Sequence, residues 1–243
     1  MQVQLFATCL IDSLFPSVGE AVVAVLRACE VEVQLPAEQT CCGQPSFNAG
    51  EWDSARRLAR YTIEVLEASP APVVLPSGSC AHMIRHGYQQ LFADDARWRT
   101  RAERLGERTY EFSQFLVDVL GVQAWSGVPG GKVAYHPSCH LLRGMGIEHP
   151  PLQLLDSVPD LDVIRLEPEC CGFGGVFSVD QPELSAAMLD RKLRAVEAAQ
   201  APRVVGCDVS CLMHIEGGLR KRGLPIRCAH LAQILAGDMG GLR

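Results

Sequence analysis

The amino-acid sequence predicts an α/β fold of two tandem, pseudo-symmetric modules, each a mostly parallel sheet flanked by helices. One observation is a repeated cysteine pattern, in which a lone cysteine, a Cys-Cys-Gly triplet and another lone cysteine occur in each half of the 243-residue chain. The two sets are Cys9, Cys41, Cys42 and Cys80, and Cys139, Cys170, Cys171 and Cys211. Corresponding members lie 130, 129, 129 and 131 positions apart. A second observation is that short apolar segments alternate with helical periodicity, which favours βαβ units and parallel sheets.

The first half contains three predicted strands, and each ends shortly before a cysteine of the first set. The predicted elements are, in order, a strand at 3–8, a helix at 18–29, a strand at 31–36, an amphipathic helix at 52–68 and a strand at 72–75. Cys9 follows the first strand, the triplet follows the second and Cys80 follows the third.

The second half repeats this order of elements. Its predicted elements are strands at 132–136, 161–166 and 202–205 and a helix at 182–199. Residues 111–116 also resemble residues 230–235, so the repeat extends to the ends of the two modules.

These repeats define the expected domain organisation. We expect a first module at 1–120, a linker at 121–131 and a second module at 132–243. The linker is rich in glycine and contains a proline, a composition typical of connecting segments. Residues 90–109 have no counterpart in the second half, and their charged helical pattern predicts a solvated helix face.

Composition narrows the class of protein. The net charge of −6 and the lack of a long basic run argue against nucleic acid or an anionic membrane as a partner. The sequence shows no membrane span and no secretory signal, so we expect a cytoplasmic protein. In a reducing compartment, 11 cysteines indicate metal binding or redox chemistry more than a disulfide framework.

The cysteines are expected to form metal sites at one edge of each sheet. Ligands of open parallel sheets bind outside the carboxyl ends of the strands, where both sets lie, so we expect the two edges to face a shared crevice. Four thiolates suit either a [4Fe–4S] cluster or a Cys₄ zinc site. The run from Gly172 to Gly175 allows the backbone to approach a bulky cluster, so we expect the second set to carry the functional centre.

On these motifs the sequence resembles the cysteine-rich CCG-domain family. This family includes the cysteine-rich subunit of heterodisulfide reductase and the iron-sulfur subunit of glycolate oxidase, and the resemblance covers the whole chain. It is strongest to the lactate utilisation protein A subgroup, because the chain is a tandem pair of modules and because residues 77–80 and 208–214 look like that subgroup. The resemblance implies an iron-sulfur redox subunit of a multi-component system that oxidises L-lactate to pyruvate. The implied partners are a ferredoxin-like iron-sulfur subunit and other lactate-utilisation subunits.

One departure from the family pattern bears on the cluster type. The family has a Cys-x-x-Cys at the end of each module, whereas here Ser77 and Asp208 replace its first cysteine. A five-thiolate, non-cubane cluster is therefore in doubt. Cys207 or the carboxylate of Asp208 remains an alternative fifth ligand of the second set.

Residues for direct substrate chemistry are less well indicated. His82, His136, His140 and His214 lie near the cysteines, where a capping or surface role competes with a role in chemistry. His214 is the preferred base, and Arg143 is the candidate partner for the carboxylate of a 2-hydroxy acid. Two alternatives stay open, namely a thiol-disulfide redox subunit like that of heterodisulfide reductase and a subunit that holds structural zinc.

Overall fold

Each half of the chain folds into a parallel sheet with helices packed around it. The computed structural model describes residues 1–238 and 240–242, and within them two four-stranded sheets form, of order β2-β1-β3-β4 and β6-β5-β7-β8. The strands are β1 (Gln2–Leu5), β2 (Glu32–Gln34), β3 (Val73–Leu75), β4 (Thr109–Glu111), β5 (Gly131–Tyr135), β6 (Leu161–Arg165), β7 (Arg203–Gly206) and β8 (Arg227–His230). All paired neighbours run parallel. The identical strand order confirms the predicted tandem α/β modules.

Helices occupy the connections between strands. The α-helices are α1 (Cys9–Leu14), α2 (Pro16–Ala28), α3 (Gln44–Asn48), α4 (Trp52–Leu66), α5 (Gly78–His82), α6 (Tyr88–Leu91), α7 (Ala96–Glu107), α8 (Phe112–Gln114), α9 (His149–Asp156), α10 (Phe177–Asp180), α11 (Pro182–Ala198), α12 (Val209–Lys221) and α13 (Leu231–Leu235). Among the described residues, three π-helical turns adjoin them at Met83–Gly87, Phe115–Val119 and His140–Gly144. Within the part of the chain described, no helix combines the length and apolar character needed to cross a membrane.

The last strand of each sheet has no counterpart among the predicted strands. β4 and β8 are three and four residues long and carry polar or charged residues, so they lack an apolar pattern. Their polar side chains are nevertheless buried, because Glu111 and His230 turn into the protein to cap the helix that follows each strand. The charged segment 90–109 does form a helix, α7, whose Ala102 and Leu105 pack into the core of the first half.

The two halves share one apolar core. The helix that follows the last strand of each half packs against the first long helix of the other half, so α13 contacts α2 and α8 contacts α9. Phe112, Phe115 and Leu116 of the first half belong to the same buried cluster as Leu231 and Ile234 of the second. This reciprocal packing is the arrangement expected of a pseudo-two-fold axis. The boundaries at 1–120, 121–131 and 132–243 remain a prediction.

The pseudo-two-fold axis passes close to Ser77 and Asp208, which occupy equivalent positions in the two halves. These residues form an antiparallel bridge, and the Gly78 amide donates to the Cys207 carbonyl at 3.4 Å. A Cβ atom at Gly78 would lie 2.7 Å from the Cβ of Leu141, so only glycine allows this approach of the halves. The site described below lies beside this contact.

An acidic residue, Glu111, and a basic residue, His230, cap helices at equivalent positions in the two halves, and both are buried. The Glu111 carboxylate accepts hydrogen bonds from the amides of Ser113 and Gln114, and burial raises its pKa to about 7. Nδ1 of His230 accepts from the Ala232 amide at 3.1 Å, and burial lowers the pKa of this imidazole to about 4. Both groups are therefore held in the folded protein in their neutral form more strongly than in the unfolded chain.

We expect the free energy of unfolding to depend on pH through Glu111. Its pKa is about 7 in the folded protein and 4.5 in the unfolded chain. The folded state therefore keeps a proton that the unfolded state loses, and stability falls as pH rises between these values. Glu111→Gln should remove this fall. The free energy of unfolding of the variant, relative to that of the wild type, should therefore rise by about 2 kcal/mol between about pH 5 and pH 7.5, measured by urea unfolding.

His230→Gln is the matched control, because its effect has the opposite sign. A neutral imidazole with a folded pKa of about 4 loses stability as pH falls below its unfolded value of 6.5. The difference in free energy of unfolding between wild type and His230→Gln should therefore change with pH below about 6.5. A pH-independent difference between wild type and Glu111→Gln would contradict the assignment of Glu111.

Candidate metal centre

All eight repeated cysteines line one cavity between the two halves. The cavity has a volume of about 190 Å³ and lies at the carboxyl ends of the strands of both sheets. Its lining includes Cys9, Cys41, Cys42, Cys80, Cys139, Cys170, Cys171 and Cys211. The structure thus brings together every cysteine that the sequence indicated as a ligand, in a single crevice shared by the two modules.

The first set is positioned by β1, β2, β3 and the turns that follow them. Cys9 begins α1, Cys41 and Cys42 lie in the loop before α3, and Cys80 lies in α5. The sulfur atoms of Cys42 and Cys80 are 3.4 Å apart, and the Gly43 amide donates to the sulfur of Cys41 at 3.4 Å. Gly43 has a φ of 86°, in the left-handed region, which turns the chain so that this amide faces the sulfur.

The second set repeats this geometry. The sulfur atoms of Cys139 and Cys170 are 4.0 Å apart, and the Gly172 amide donates to the Cys170 sulfur at 3.4 Å. The Phe173 amide donates to the Cys171 sulfur at 3.5 Å. Gly172 has a φ of 91°, matching Gly43. Backbone amides therefore face the sulfur atoms in both sets, as suits sulfur that carries negative charge.

Hydrogen bonds between the thiols decide which sulfur is ionised. Thiols of Cys42 and Cys9 lower the pKa of Cys41 to about 3, and the pKa values of Cys42 and Cys9 are raised in return. Cys139 and Cys171 in the same way lower the pKa of Cys170 to about 2. Without a cation, each set thus concentrates negative charge on the first cysteine of its pair. Four thiolates can coexist there only around a positive centre, so the donor set fits a thiolate-bound metal.

One sulfur pair in each set has a spacing near that of ligands on one metal ion. A tetrahedron of sulfur atoms about 2.3 Å from a zinc ion has edges of about 3.8 Å. The two measured separations, 3.4 and 4.0 Å, lie on either side of that length. In each set, one sulfur pair therefore lies near that edge length.

Ser77 and Asp208 line the cavity but have their hydrogen-bonding capacity engaged elsewhere. The Ser77 hydroxyl accepts from the Cys80 amide and donates to Oδ2 of Asp208. Oδ2 of Asp208 also accepts from the Ser79 amide at 2.8 Å, and Oδ1 accepts from the Ser210 hydroxyl at 2.6 Å. Both residues thus cap helices and join the halves, which disfavours Asp208 as a metal ligand.

Cys207, the other alternative ligand, is buried in the core that the halves share. Its thiol interacts with Tyr135 and Ser113, and burial raises its pKa. It lies outside the described cavity lining.

The two residues proposed for substrate chemistry lie outside the cavity lining. The guanidinium of Arg143 is exposed and donates to the carbonyl of Pro168. His214 packs its ring 5.7 Å from that of Phe173, and burial lowers its pKa. The structure therefore does not bring Arg143 and His214 together at the cysteines. His140 does line the cavity, and its ring lies 5.3 Å from that of His82.

Two residues beside the second set were missed or undervalued by the sequence patterns. His136, for which a capping or surface role competed with a role in chemistry, lies with the sulfur atoms of Cys171 and Cys211 in a group whose ligand atoms are all within 4.8 Å of one another. Lys192 is fully buried, and its ammonium donates to the Glu167 carbonyl at 2.8 Å. Burial lowers the pKa of Lys192, and the negative charges of Glu169 and of the second-set thiolates oppose that shift. At an offset of 130 positions, the first half has Phe6 and Thr62 instead. A comparison of the two repeats at this offset could therefore have singled out His136 and Lys192 from the sequence.

Comparisons with known proteins agree with the duplicated pattern. The family described as "Cysteine-rich domain" (CCG) matches residues 3–85 and 133–216. The chain is 43% identical over 238 residues to "Lactate utilization protein A 2" of Bacillus cereus (strain Q1), covering 97% of this chain and 98% of that protein. It is 45% identical over 236 residues to "Lactate utilization protein A" of Exiguobacterium sp. (strain ATCC BAA-1283 / AT1b), covering 96% of each.

One solved structure shares the fold at low sequence identity. It is described as "Crystal structure of a hypothetical protein from Helicobacter pylori", and it matches with a TM-score of 0.68 and 10% identity. The match covers 100% of this chain and 49% of that one, so this chain spans about half of the other protein's length.

The glycine after each cysteine pair should differ in its tolerance of a side chain. A Cβ at Gly172 would lie 2.6 Å from the Ser185 carbonyl oxygen, whereas a Cβ at Gly43 would meet nothing closer than Leu58 at 3.3 Å. Both positions have positive φ, so each substitution carries a backbone cost. We expect Gly172→Ala to destabilise the protein by about 3 kcal/mol and Gly43→Ala by about 1 to 2 kcal/mol, measured by urea unfolding. Equal losses would contradict the closer packing around the second triplet.

Proposed function

This chain belongs to the cysteine-rich domain (CCG) family, and on that premise we propose that it is an iron-sulfur redox subunit of a lactate-utilisation system. The observation that carries the proposal is the convergence of eight thiols from two pseudo-symmetric halves on one cavity. The relatives at 43% and 45% identity are named for lactate utilisation, and the proposed pathway rests on those names. When bound, an iron-sulfur centre supplies reversible one-electron transfer.

The residues of this chain would bind and insulate such a centre. In the second set, Cys139, Cys170, Cys171 and Cys211 would hold it, and the amides that face the sulfur atoms would stabilise their negative charge. The buried cation of Lys192 would offset part of the charge of a thiolate-bound cluster. The first set, Cys9, Cys41, Cys42 and Cys80, would hold a second centre.

We place the oxidation of the 2-hydroxy acid itself on a partner subunit. Binding of a lactate carboxylate calls for a cation, and among the described residues that line the cavity there is no lysine or arginine. Arg143, the candidate for that role, points to Pro168 instead. This chain would therefore relay electrons to or from a ferredoxin-like iron-sulfur subunit. The proposal includes a cytoplasmic location, which suits exposed thiolate chemistry.

A second candidate is a Cys₄ zinc site in one or both sets, because four thiolates are also a common donor set for structural zinc. A thiol-disulfide enzyme like heterodisulfide reductase is less well supported. The fifth thiolate of the family pattern is replaced by Ser77 and Asp208, whose polar atoms are engaged with each other and with backbone amides.

We expect anaerobically purified protein to contain iron and sulfide and to show a visible absorption band that bleaches on reduction. Cys171→Ser should lose more of this band and more iron than Cys42→Ser, because His136 and Lys192 adjoin only the second set. Metal analysis and spectroscopy of the two variants would measure the difference. Zinc without iron in both sets would support the second candidate instead, and equal losses would make the two sets equivalent.

Removal of the buried cation should lower the reduction potential of the second centre. A positive charge near a cluster favours its reduced, more negative state, so Lys192→Met should lower the midpoint potential by on the order of 60 mV, a tenfold change in a one-electron equilibrium. Lys221→Met, at an exposed position on α12, is the matched control. Redox titration followed by electron paramagnetic resonance would measure both. An unchanged potential in Lys192→Met would show that its charge does not act on the centre.

A further inference from the structure

His136 is a buried histidine whose polar atoms lack protein partners. It follows directly after β5, its side chain is 1% exposed, and neither Nδ1 nor Nε2 has a hydrogen-bond partner among the described residues. A buried polar group left without a partner costs about 1–3 kcal/mol, so such groups call for an explanation. A bound ligand at the ring would remove this cost.

The position of the ring indicates which ligand. A ring nitrogen of His136 and the sulfur atoms of Cys171 and Cys211 all lie within 4.8 Å of one another, and all three residues are buried. Nitrogen and sulfur donors at such spacing form the first coordination sphere of zinc and of iron-sulfur centres in which histidine replaces cysteine. The chemistry that fits is therefore a metal ion or cluster iron that is bound by both imidazole and thiolate.

The first half shows what the position looks like without this function. Phe6 occupies the place equivalent to His136 and packs with Cys42 and Cys80 in the core of that half. An apolar side chain thus satisfies the fold at this position. The imidazole is not needed to close the sheet, which leaves its two unpaired nitrogens without a structural reason.

The two alternative ligands considered for the second set, Asp208 and Cys207, are engaged elsewhere. Asp208, which replaces a cysteine of the family pattern, directs both carboxylate oxygens to Ser77, Ser79 and Ser210. Cys207 lies outside the cavity lining, within the core. His140 lines the cavity with Nδ1 4.0 Å from the Cys139 sulfur, but the ring nitrogen grouped with two sulfur atoms of the second set belongs to His136.

We propose that His136 is a nitrogen ligand of the metal centre held by the second cysteine set, alongside Cys171 and Cys211. The two halves then hold chemically different centres, an all-thiolate one in the first half and a mixed imidazole–thiolate one in the second. The inference rests on the proposed function only in requiring that a metal occupies the second set.

The test isolates one set at a time in the full-length chain. Cys41→Ala/Cys42→Ala leaves the second set, and Cys170→Ala/Cys171→Ala leaves the first. Each protein is loaded anaerobically with Co²⁺, whose absorption bands report thiolate and imidazole ligands, and ¹⁴N couplings are measured by pulsed electron paramagnetic resonance. We expect a directly coordinated nitrogen only in the protein that keeps the second set.

His136→Phe in that background is the decisive variant, because Phe6 shows that phenylalanine suits the equivalent position. It should abolish the ¹⁴N coupling and weaken Co²⁺ binding by about tenfold or more. His149→Phe, at an exposed position, is the control and should keep both. If His136→Phe does not fold, His136→Gln removes the imidazole while keeping a polar side chain, and the same loss is expected.

The outcomes separate this inference from the proposed function. A ¹⁴N coupling that persists in His136→Phe, a second set that binds Co²⁺ without nitrogen, or a second set that binds no Co²⁺ would each overturn the inference. If the purified protein holds iron but shows no nitrogen coupling, the proposed function stands and the inference falls. If it holds no iron while the Co²⁺ protein shows the coupling, the proposed function fails and His136 remains a metal ligand.

Discussion

The contact between the Ser77 and Asp208 turns is the constraint on which the rest of the structure depends. Each residue caps the helix that carries the last cysteine of its set, and each also bonds to the other across the pseudo-two-fold axis. These hydrogen bonds fix the ends of α5 and α12 against each other. Since Cys80 and Cys211 lie in the first turns of those helices, the same contact sets the distance between the two cysteine sets. One polar junction thus orients both halves and both candidate centres.

Much of this arrangement could be predicted from the sequence, because the repeat combines regular strands with chemically distinctive residues. The strands before Cys9, Cys139 and Cys211 have clear apolar patterns, and thiols at the ends of parallel strands must meet at one edge. The short strands β4 and β8 could not be predicted, because burial of Glu111 and His230 follows from helix capping and not from hydrophobicity. The shared core could not be predicted either, because a pattern of apolar residues does not show whether they pack within their own half or against the other half.

Within the site, the cysteines could be predicted but their surroundings could not. His136 precedes Cys139 by three residues, and sequence alone leaves a capping role open, because burial and unpaired nitrogens become visible only in three dimensions. Lys192 lies in an amphipathic helix, where a lysine normally faces solvent. In contrast, Arg143 was a reasonable candidate by proximity to Cys139, but its side chain extends to Pro168 and away from the cavity. Proximity along the chain therefore predicted well which thiols converge and predicted poorly which residues surround them.

The reciprocal packing of α2 with α13 and of α8 with α9 has a consequence for the origin of the molecule. A single half would expose the apolar face that now covers the other half, and two identical copies would cover it by pairing about a true two-fold axis. The present chain has the form of such a homodimer in which a duplicated gene was fused to the original. Fusion frees each copy to diverge, and the exchange of Phe6 for His136 and of Thr62 for Lys192 is divergence of this kind. A symmetric ancestor would have held two identical centres, whereas a fused descendant can assign them different tasks.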